Sequence, residues 1–292
     1  MMKQTNKSIV RRALPMRPDD ANKGTMGALL SICGCYGMAG AAILAAQAAL
    51  RMGIGLHKCA LPKSIYPIAA SQIPESVYLP LDETADGKIS ADNCERLLTE
   101  TERCGAILIG CGLSVCDDTR RVVHHLLKKC SKPILLDADA LNCIANNPNI
   151  LKQTKADIVI TPHPGEFARL ICSTPAKVNA DRANLALQFS AQYGVITVLK
   201  GAGTVIAAPN GQVLVNHTGN SGMATGGSGD VLAGMAGALL AQGANPFDAA
   251  AAAVFLHGLA GDAAAKQFGK ISMLPSDMIG CISTALRQCN ES

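Results

Sequence analysis

The 292-residue sequence has no tryptophan, and aromatic side chains of all kinds make up only 3% of it. That removes the stacking platforms on which single-stranded nucleic acids are held. Charged residues are also few, at 16%, and the net charge of +4 is spread thinly. Basic pairs occur at Arg11-Arg12, Arg120-Arg121 and Lys128-Lys129, none interleaved with aromatics, so no nucleic-acid surface is expected. There is no CxxC pair and no His cluster at ligand spacing, so the twelve cysteines do not read as a zinc site. They also follow no signal peptide, since residues 1–20 are polar and basic without a long apolar stretch. Cysteines such as Cys33, Cys143 and Cys172, in apolar contexts, are expected as reduced, buried thiols of a cytoplasmic protein. No membrane span is expected: residues 38–56 are the best candidate, and Gln47 and Arg51 interrupt them. Two nucleotide fingerprints are missing as well. No Gly-Lys-Ser/Thr closes a Walker A loop, and no Gly-x-Gly-x-x-Gly follows the first strand with an acidic residue about twenty positions on.

What the sequence does have is small aliphatic residues. Hydrophobic residues reach 49%, dominated by Ala, Leu, Ile and Val, with 28 glycines. This composition favours close packing of helices on a sheet, and the length suits one large α/β domain. After a polar arm at residues 1–21, containing Pro15 and Pro18, residues 28–33 read as a strand. Residues 34–40 form a glycine turn and 41–52 an alanine-rich helix. Short continuous apolar runs at 106–109, 134–136, 158–160 and 195–199 read as buried strands. Helical patterns at 91–101, 117–129 and 179–193 separate them, which predicts a parallel sheet covered on both faces. Residues 204–208 and 212–215, joined by a turn with Asn210-Gly211 at its tip, read as a hairpin at the sheet edge. Helices are expected at 230–242 and 246–268. Residues 22–292 are expected as one domain.

The strongest local signal for chemistry is Thr218-Gly-Asn-Ser-Gly-Met-Ala-Thr-Gly-Gly-Ser-Gly-Asp230, five glycines leading directly into an apolar helix. Glycines let successive N–H groups point at one place, and the helix start adds unpaired amides and the positive end of its dipole. Gly226, Gly227, Ser228 and Gly229 thus form a candidate anion hole suited to phosphate. Asp230 either caps the helix or acts as a base on a hydroxyl attacking phosphorus. Three further segments sit at strand ends. Thr161-Pro-His-Pro-Gly-Glu166 presents His163 or simply makes a rigid turn. In Leu136-Asp-Ala-Asp-Ala-Leu-Asn142, Asp137 and Asp139 organise loops or reach a hydrated Mg²⁺. Leu199-Lys-Gly-Ala-Gly-Thr204 offers Lys200 to a phosphate or is a plain hairpin turn. A fourth close-approach turn is Ile109-Gly-Cys-Gly-Leu113.

Taken in order, with Asn22-Lys23-Gly24, Gly40-Ala41-Ala42 and Leu256-His257-Gly258, these segments resemble the ADP-dependent NAD(P)H-hydrate dehydratases, a lyase branch of the ribokinase-like superfamily. The resemblance covers nearly the whole chain. It implies a three-layer α/β/α fold with a central, mostly parallel sheet. It also implies ADP-dependent dehydration of the S epimer of hydrated NADH or NADPH back to NAD(P)H, releasing AMP and phosphate. Carried over by motif, Lys200, Gly201, Ala202, Gly203, Thr204 and Gly229 would bind ADP. Ala41, Gly112, His163 and Asp230 would face the hydrated dinucleotide, with Asp230 catalytic and Mg²⁺ bridging the diphosphate. The resemblance favours a homotetramer and a separate epimerase partner. Cys111 and Ser221 stand where the family commonly has proline, and Asn22 where it has histidine. Two rival readings remain: a ribokinase-like small-alcohol kinase, such as a hydroxyethylthiazole kinase, and a non-catalytic nucleotide-binding regulator.

Overall fold

Three runs with no polar residue at all form the middle of the sheet, because only strands covered on both faces can carry such sequences. The computed structural model describes residues 3–290. In chain order the elements are β1 (Lys3–Gln4), α1 (Lys7–Ala13), β2 (Ala28–Ile32), α2 (Ala39–Arg51), β3 (Leu56–Pro62), α3 (Tyr66–Gln72), β4 (Val77–Leu81), α4 (Cys94–Thr101), β5 (Ala106–Ile109), α5 (Asp117–Lys129) and β6 (Ile134–Leu136). They continue with α6 (Asp139–Ile144), β7 (Ile158–Ile160), α7 (Pro164–Leu170), α8 (Pro175–Ala180), α9 (Arg182–Tyr193), β8 (Ile196–Leu199), β9 (Thr204–Ala207), β10 (Val213–Asn216), α10 (Ser228–Ala241), α11 (Pro246–Phe268) and α12 (Pro275–Asn290).

The strands form one sheet in the order β1-β10-β9-β8-β7-β6-β5-β2-β3-β4. All neighbours are parallel except β8 with β9 and β9 with β10. Alternate residues of each central strand feed two separate cores. Leu29, Leu108, Leu135, Val159 and Val198 pack under α1, α2, α10, α11 and α12. Leu30, Ile107, Ile134 and Ile158 pack under α4, α5, α6, α7 and α9. This is the expected mostly parallel, three-layer α/β/α architecture.

Small residues set the spacing of the first layer. A Cβ added to Gly234 of α10 would lie 2.1 Å from the Ala45 carbonyl oxygen of α2, so the two helices touch backbone to backbone. The alanine-rich, aromatic-poor composition is what allows this contact.

The expected hairpin is present, but the sheet does not end with it. Lys3–Gln4 adds a parallel strand beyond β10, and Thr5 Oγ1 donates to Asn216 Oδ1 at 2.7 Å. The segment read as an arm is therefore partly woven into the fold. Its helix α1 is capped by Asn6 and tied to α11 by a two-pronged Arg12–Asp248 ion pair of 2.7 and 3.1 Å. One cysteine departs from expectation. Cys172 is exposed, because it sits at φ 51° in the turn after α7, with its side chain outside the core.

Candidate active site

The C-terminal ends of β5, β6, β7 and β8 lie side by side, so the loops that follow them are neighbours in space. Backbone bonds stitch them together. Asp137 N–H donates to Ile109 O at 3.1 Å, Thr161 N–H to Leu136 O at 3.1 Å, and Lys200 N–H to Pro162 O at 2.9 Å. Four sequence segments separated by up to 90 residues thereby share one rim.

At its centre Lys200 Nζ lies 2.6 Å from Asp137 Oδ1 and 4.0 Å from Glu166 Oε2. Asp137 is 2% exposed, and its Oδ1 also accepts from Thr161 Oγ1 at 2.7 Å. Burial works against the Lys200 ammonium, yet the carboxylates of Asp137 and Glu166 outweigh it and hold its pKa above the ordinary value. Glu166 is buried, which pushes its carboxyl pKa up, and its Oε2 accepts from the His163 N–H at 2.8 Å. His163 Nδ1 in return accepts from Gly165 N–H at 3.0 Å and Glu166 N–H at 3.4 Å. The Thr161–Glu166 motif is thus a reciprocal helix cap. It fixes the imidazole with Nδ1 unprotonated, and burial lowers its pKa.

Asp230 sits in the first turn of α10. Burial first, then the neighbouring Asp137, pushes its carboxyl up to about 6. It does not cap the helix. The N-cap is Gly227, at φ 98°, where an added Cβ would strike Leu44 at 2.6 Å. Ser228 N–H reaches back to Thr225 O at 3.3 Å, and Val231 N–H to Gly227 O at 3.1 Å. Among the described residues the N–H groups of Gly226, Gly227, Gly229 and Asp230 have no backbone acceptor. Four free amides on a glycine-rich helix start are suited to a phosphate. A Cβ on Gly229 would lie 3.3 Å from Lys200 Nζ, so the lysine reaches the same place.

A cleft of about 900 Å³ opens beside this point. Lys200, Gly201, Ala202, Gly203, Thr204, Gly226, Ser228 and Gly229 all line it, together with 216–221 and His257. Every residue expected at ADP is there. Of the residues expected at the dinucleotide, Ala41, Gly112 and His163 do not line this cleft. Gly112, at φ 62°, would place a Cβ 2.8 Å from that of Ala41, so these two positions touch. Cys111, next to Gly112, sits with Asp137 and Asp230 in a cluster whose donor atoms all lie within 4.8 Å of one another. His163 Nε2 lies 3.4 Å from Glu166 Oε1, and Glu166 Oε2 in turn lies 4.0 Å from Lys200 Nζ.

The sequence assigns no role to several residues that hold the site. Arg182 donates to Leu199 O at 2.6 Å, Lys200 O at 2.9 Å and Ala202 O at 2.7 Å, clamping the Lys200 turn. His257 Nε2 lies 2.9 Å from Ser228 O, and burial lowers its pKa to about 4, so the neutral ring donates to the carbonyl at the start of α10. Asp262 fastens Gly219 N–H at 3.0 Å and Asn220 Nδ2 at 2.9 Å. Asp139, weighed for metal binding, is occupied with loop bonds to Ser114 N–H at 2.8 Å and Asn142 Nδ2 at 3.2 Å.

The fold defines the ribokinase-like class of α/β proteins, shared with a ribokinase-like superfamily protein of Enterococcus faecalis at a TM-score of 0.83 and 26% identity. Within it the chain belongs to the NAD(P)H-hydrate dehydratase family, whose model matches residues 29–284. The bifunctional NAD(P)H-hydrate repair enzyme Nnr of Moorella thermoacetica is 42% identical over 281 residues, covering 96% of this chain and 53% of that protein. The ADP-dependent (S)-NAD(P)H-hydrate dehydratase of Neisseria meningitidis is 39% identical over 251 residues, covering 84% of this chain and 80% of its own. The chain spans about half the length of the first curated relatives it matches. Among solved structures, the ADP/ATP-dependent NAD(P)H-hydrate dehydratase of Bacillus subtilis, co-crystallised with ATP and Mg²⁺, superposes with a TM-score of 0.84 at 29% identity over 99% of both chains. No described helix is long and apolar enough to cross a membrane.

Proposed function

We propose that this chain uses ADP to dehydrate the S epimer of hydrated NADH or NADPH, restoring NAD(P)H and releasing AMP and phosphate. One observation carries the reading: Asp230 follows Gly229, which lines the cleft with all the expected nucleotide residues, and clusters with Cys111, the neighbour of the Gly112 that touches Ala41. A largely buried carboxylate beside the cleft, with its pKa raised to about 6, is suited to taking a proton from a hydroxyl that attacks a bound phosphate.

Hydroxide is a poor leaving group, so the C6 hydroxyl of the hydrate must be activated. In this reading Asp230 accepts the hydroxyl proton while that oxygen bonds to the β-phosphorus, and the bond to AMP breaks. The free amides of Gly226, Gly227, Gly229 and Asp230 and the Lys200 ammonium stabilise the charge that develops on the phosphoryl oxygens. The ring nitrogen's lone pair then expels phosphate, and loss of the C5 proton restores the ring. Water lifted from the hydrate thus ends up in the phosphate.

The cleft lining offers a metal no carboxylate, so Mg²⁺ would enter with the nucleotide and not on a protein site of its own. It would supply charge neutralisation on the phosphates. Dehydration of one epimer alone calls for a companion activity that interconverts the two. We also infer a cytoplasmic enzyme, where reduced dinucleotides are used and free thiols persist.

The small-alcohol kinase is separated by substrate. Incubation with ADP and hydrated NADH is predicted to yield AMP and phosphate in equal amounts. Incubation with ATP and hydroxyethylthiazole is predicted to yield no phosphorylated alcohol. The reverse pattern would overturn the reading. Tight ADP binding with neither reaction would favour the regulator.

A further inference from the structure

The cysteines carry no metal-ligand spacing along the chain, yet the fold builds a mixed donor set in space. Cys111 follows β5, Asp137 ends β6 and Asp230 opens α10. One ligand atom from each, the Cys111 Sγ and one carboxylate oxygen of each aspartate, all fall within 4.8 Å of one another. The residues are far apart in sequence, which is why local patterns do not reveal them. We propose that Cys111, Asp137 and Asp230 form a binding site for a thiophilic divalent cation of the Zn²⁺ class, which occupies the Asp230 carboxylate and so blocks the site.

The donor chemistry sets the choice of ion. Mg²⁺ takes oxygen ligands and rejects a thiol, whereas Zn²⁺ and Cd²⁺ favour one. Cys111 is fully buried and Asp137 is 2% exposed, so both donors are preplaced by the core instead of drawn from mobile side chains. Asp137 divides its two oxygens. Oδ1 is taken by Lys200 and Thr161, while among the described residues Oδ2 has only the Cys111 thiol, at 3.8 Å. That distance is about the separation of two ligands on a tetrahedral Zn²⁺, so an ion can enter with little rearrangement. The third donor, Asp230, is half-buried, which leaves the remaining coordination position open to the solvent side. Three anionic ligands around one dication leave a net charge of −1, and Lys200 beside Asp137 offsets it.

Binding must displace a proton. The ion replaces that proton, forming a metal–sulfur bond and releasing one H⁺ to solvent. The consequence rests on the proposed role of Asp230: a metal-bound carboxylate cannot accept the substrate proton, so Zn²⁺ inhibits where Mg²⁺ does not.

The test reads metal binding directly and needs no hydrated dinucleotide. Cd²⁺ is titrated into the full chain, and the ultraviolet cadmium–thiolate band is followed in wild type, Cys111→Ala, Asp230→Asn and Cys33→Ala. Subtraction between variants cancels the signal of the other thiols. Wild type is predicted to bind one equivalent more than Cys111→Ala. Asp230→Asn weakens that equivalent by about 10–100-fold, the usual cost of a lost ligand interaction in a metal site. Cys33→Ala retains it. Identical titrations of wild type and Cys111→Ala would overturn the proposal, and so would loss of the equivalent in Cys33→Ala alone. If Cys111→Ala does not fold, the Asp230→Asn comparison decides by itself. A separate arm measures turnover with excess Zn²⁺ over ADP-bound Mg²⁺. A metal equivalent without inhibition would remove the block but leave the site, and would count against Asp230 as the base.

Discussion

The ammonium of Lys200 and the carboxylate of Asp137 meet at 2.6 Å under the start of α10, with Gly229 against the lysine. This pair is the junction between the β6 and β8 loops and the anion-binding amides. It supports the site mechanically as well as electrically. Replacing Lys200 with Met leaves a 2%-exposed carboxylate without its cation, a change that typically costs about 3–5 kcal/mol. Urea denaturation should register that loss. The double variant Lys200→Met/Asp137→Asn should recover most of it, because the stranded charge is gone, while ADP binding stays weak. Equal stability of the single and double variants would show that Asp137 does not depend on Lys200.

Arg182 acts through the loop it holds. Its guanidinium bonds three carbonyls of the Lys200 turn, and a Cβ on Gly201 would lie 3.1 Å from one of its nitrogens. Arg182→Ala frees that turn. The KM for ADP is predicted to rise about 10-fold, equivalent to about 1.4 kcal/mol, with kcat at saturating ADP within about 2-fold of wild type. A fall in kcat with unchanged KM would mean that Arg182 acts on the reaction step.

Asp230 gives a prediction in pH. Its pKa is raised from 3.8 to about 6, so the folded state holds the proton more tightly than the unfolded chain. Its contribution to stability is full below about pH 4 and is lost as pH rises through about 6. Asp230→Asn should therefore melt above wild type at pH 7.5, by about 1 kcal/mol after allowance for its solvent contact, with no gain at pH 4. Turnover follows the opposite slope. The base must be ionised, so kcat/KM of the wild type should climb up to tenfold per pH unit below about 6 and level off above it. A flat profile from pH 5 to 8 would rule out Asp230 as the titrating base.

The glycine at the N-cap is a steric requirement. Gly227→Ala combines φ 98° with a Cβ 2.6 Å from Leu44, so the start of α10 must shift. Nucleotide binding measured by calorimetry is predicted to weaken at least about 10-fold, as the amides lose their common aim. Gly226→Ala, which meets nothing within 4 Å, serves as the milder control.

The sequence patterns anticipated the sheet centre well, because β5, β6 and β7 are continuous apolar runs that only buried parallel strands carry. They missed β3 and β4. There Lys58 and Pro80 interrupt the apolar pattern, and the strands are held by pairing with distant neighbours. They also missed β1, which pairs with β10 about two hundred residues later, and α1, which is tied to α11 by Arg12–Asp248. The glycine-rich segment and the Thr161 and Lys200 turns were legible as local chemistry. The links between them were not. Arg182, His257 and the Asp137–Lys200 pair act across 17 to 63 residues, and no local pattern encodes such a contact.

The most direct test combines two readouts on one pair of proteins. Wild type and Asp230→Asn are incubated with ADP, Mg²⁺ and hydrated NADH while absorbance at the NADH band is followed, and ADP affinity is measured by calorimetry on the same samples. The wild type is predicted to restore the NADH band with one AMP released per NADH formed. Asp230→Asn should lose turnover by a factor of at least about 10³ and bind ADP within about threefold of wild type. Near-normal recovery of the NADH band by Asp230→Asn, or no recovery by the wild type with either ADP or ATP, would contradict the account.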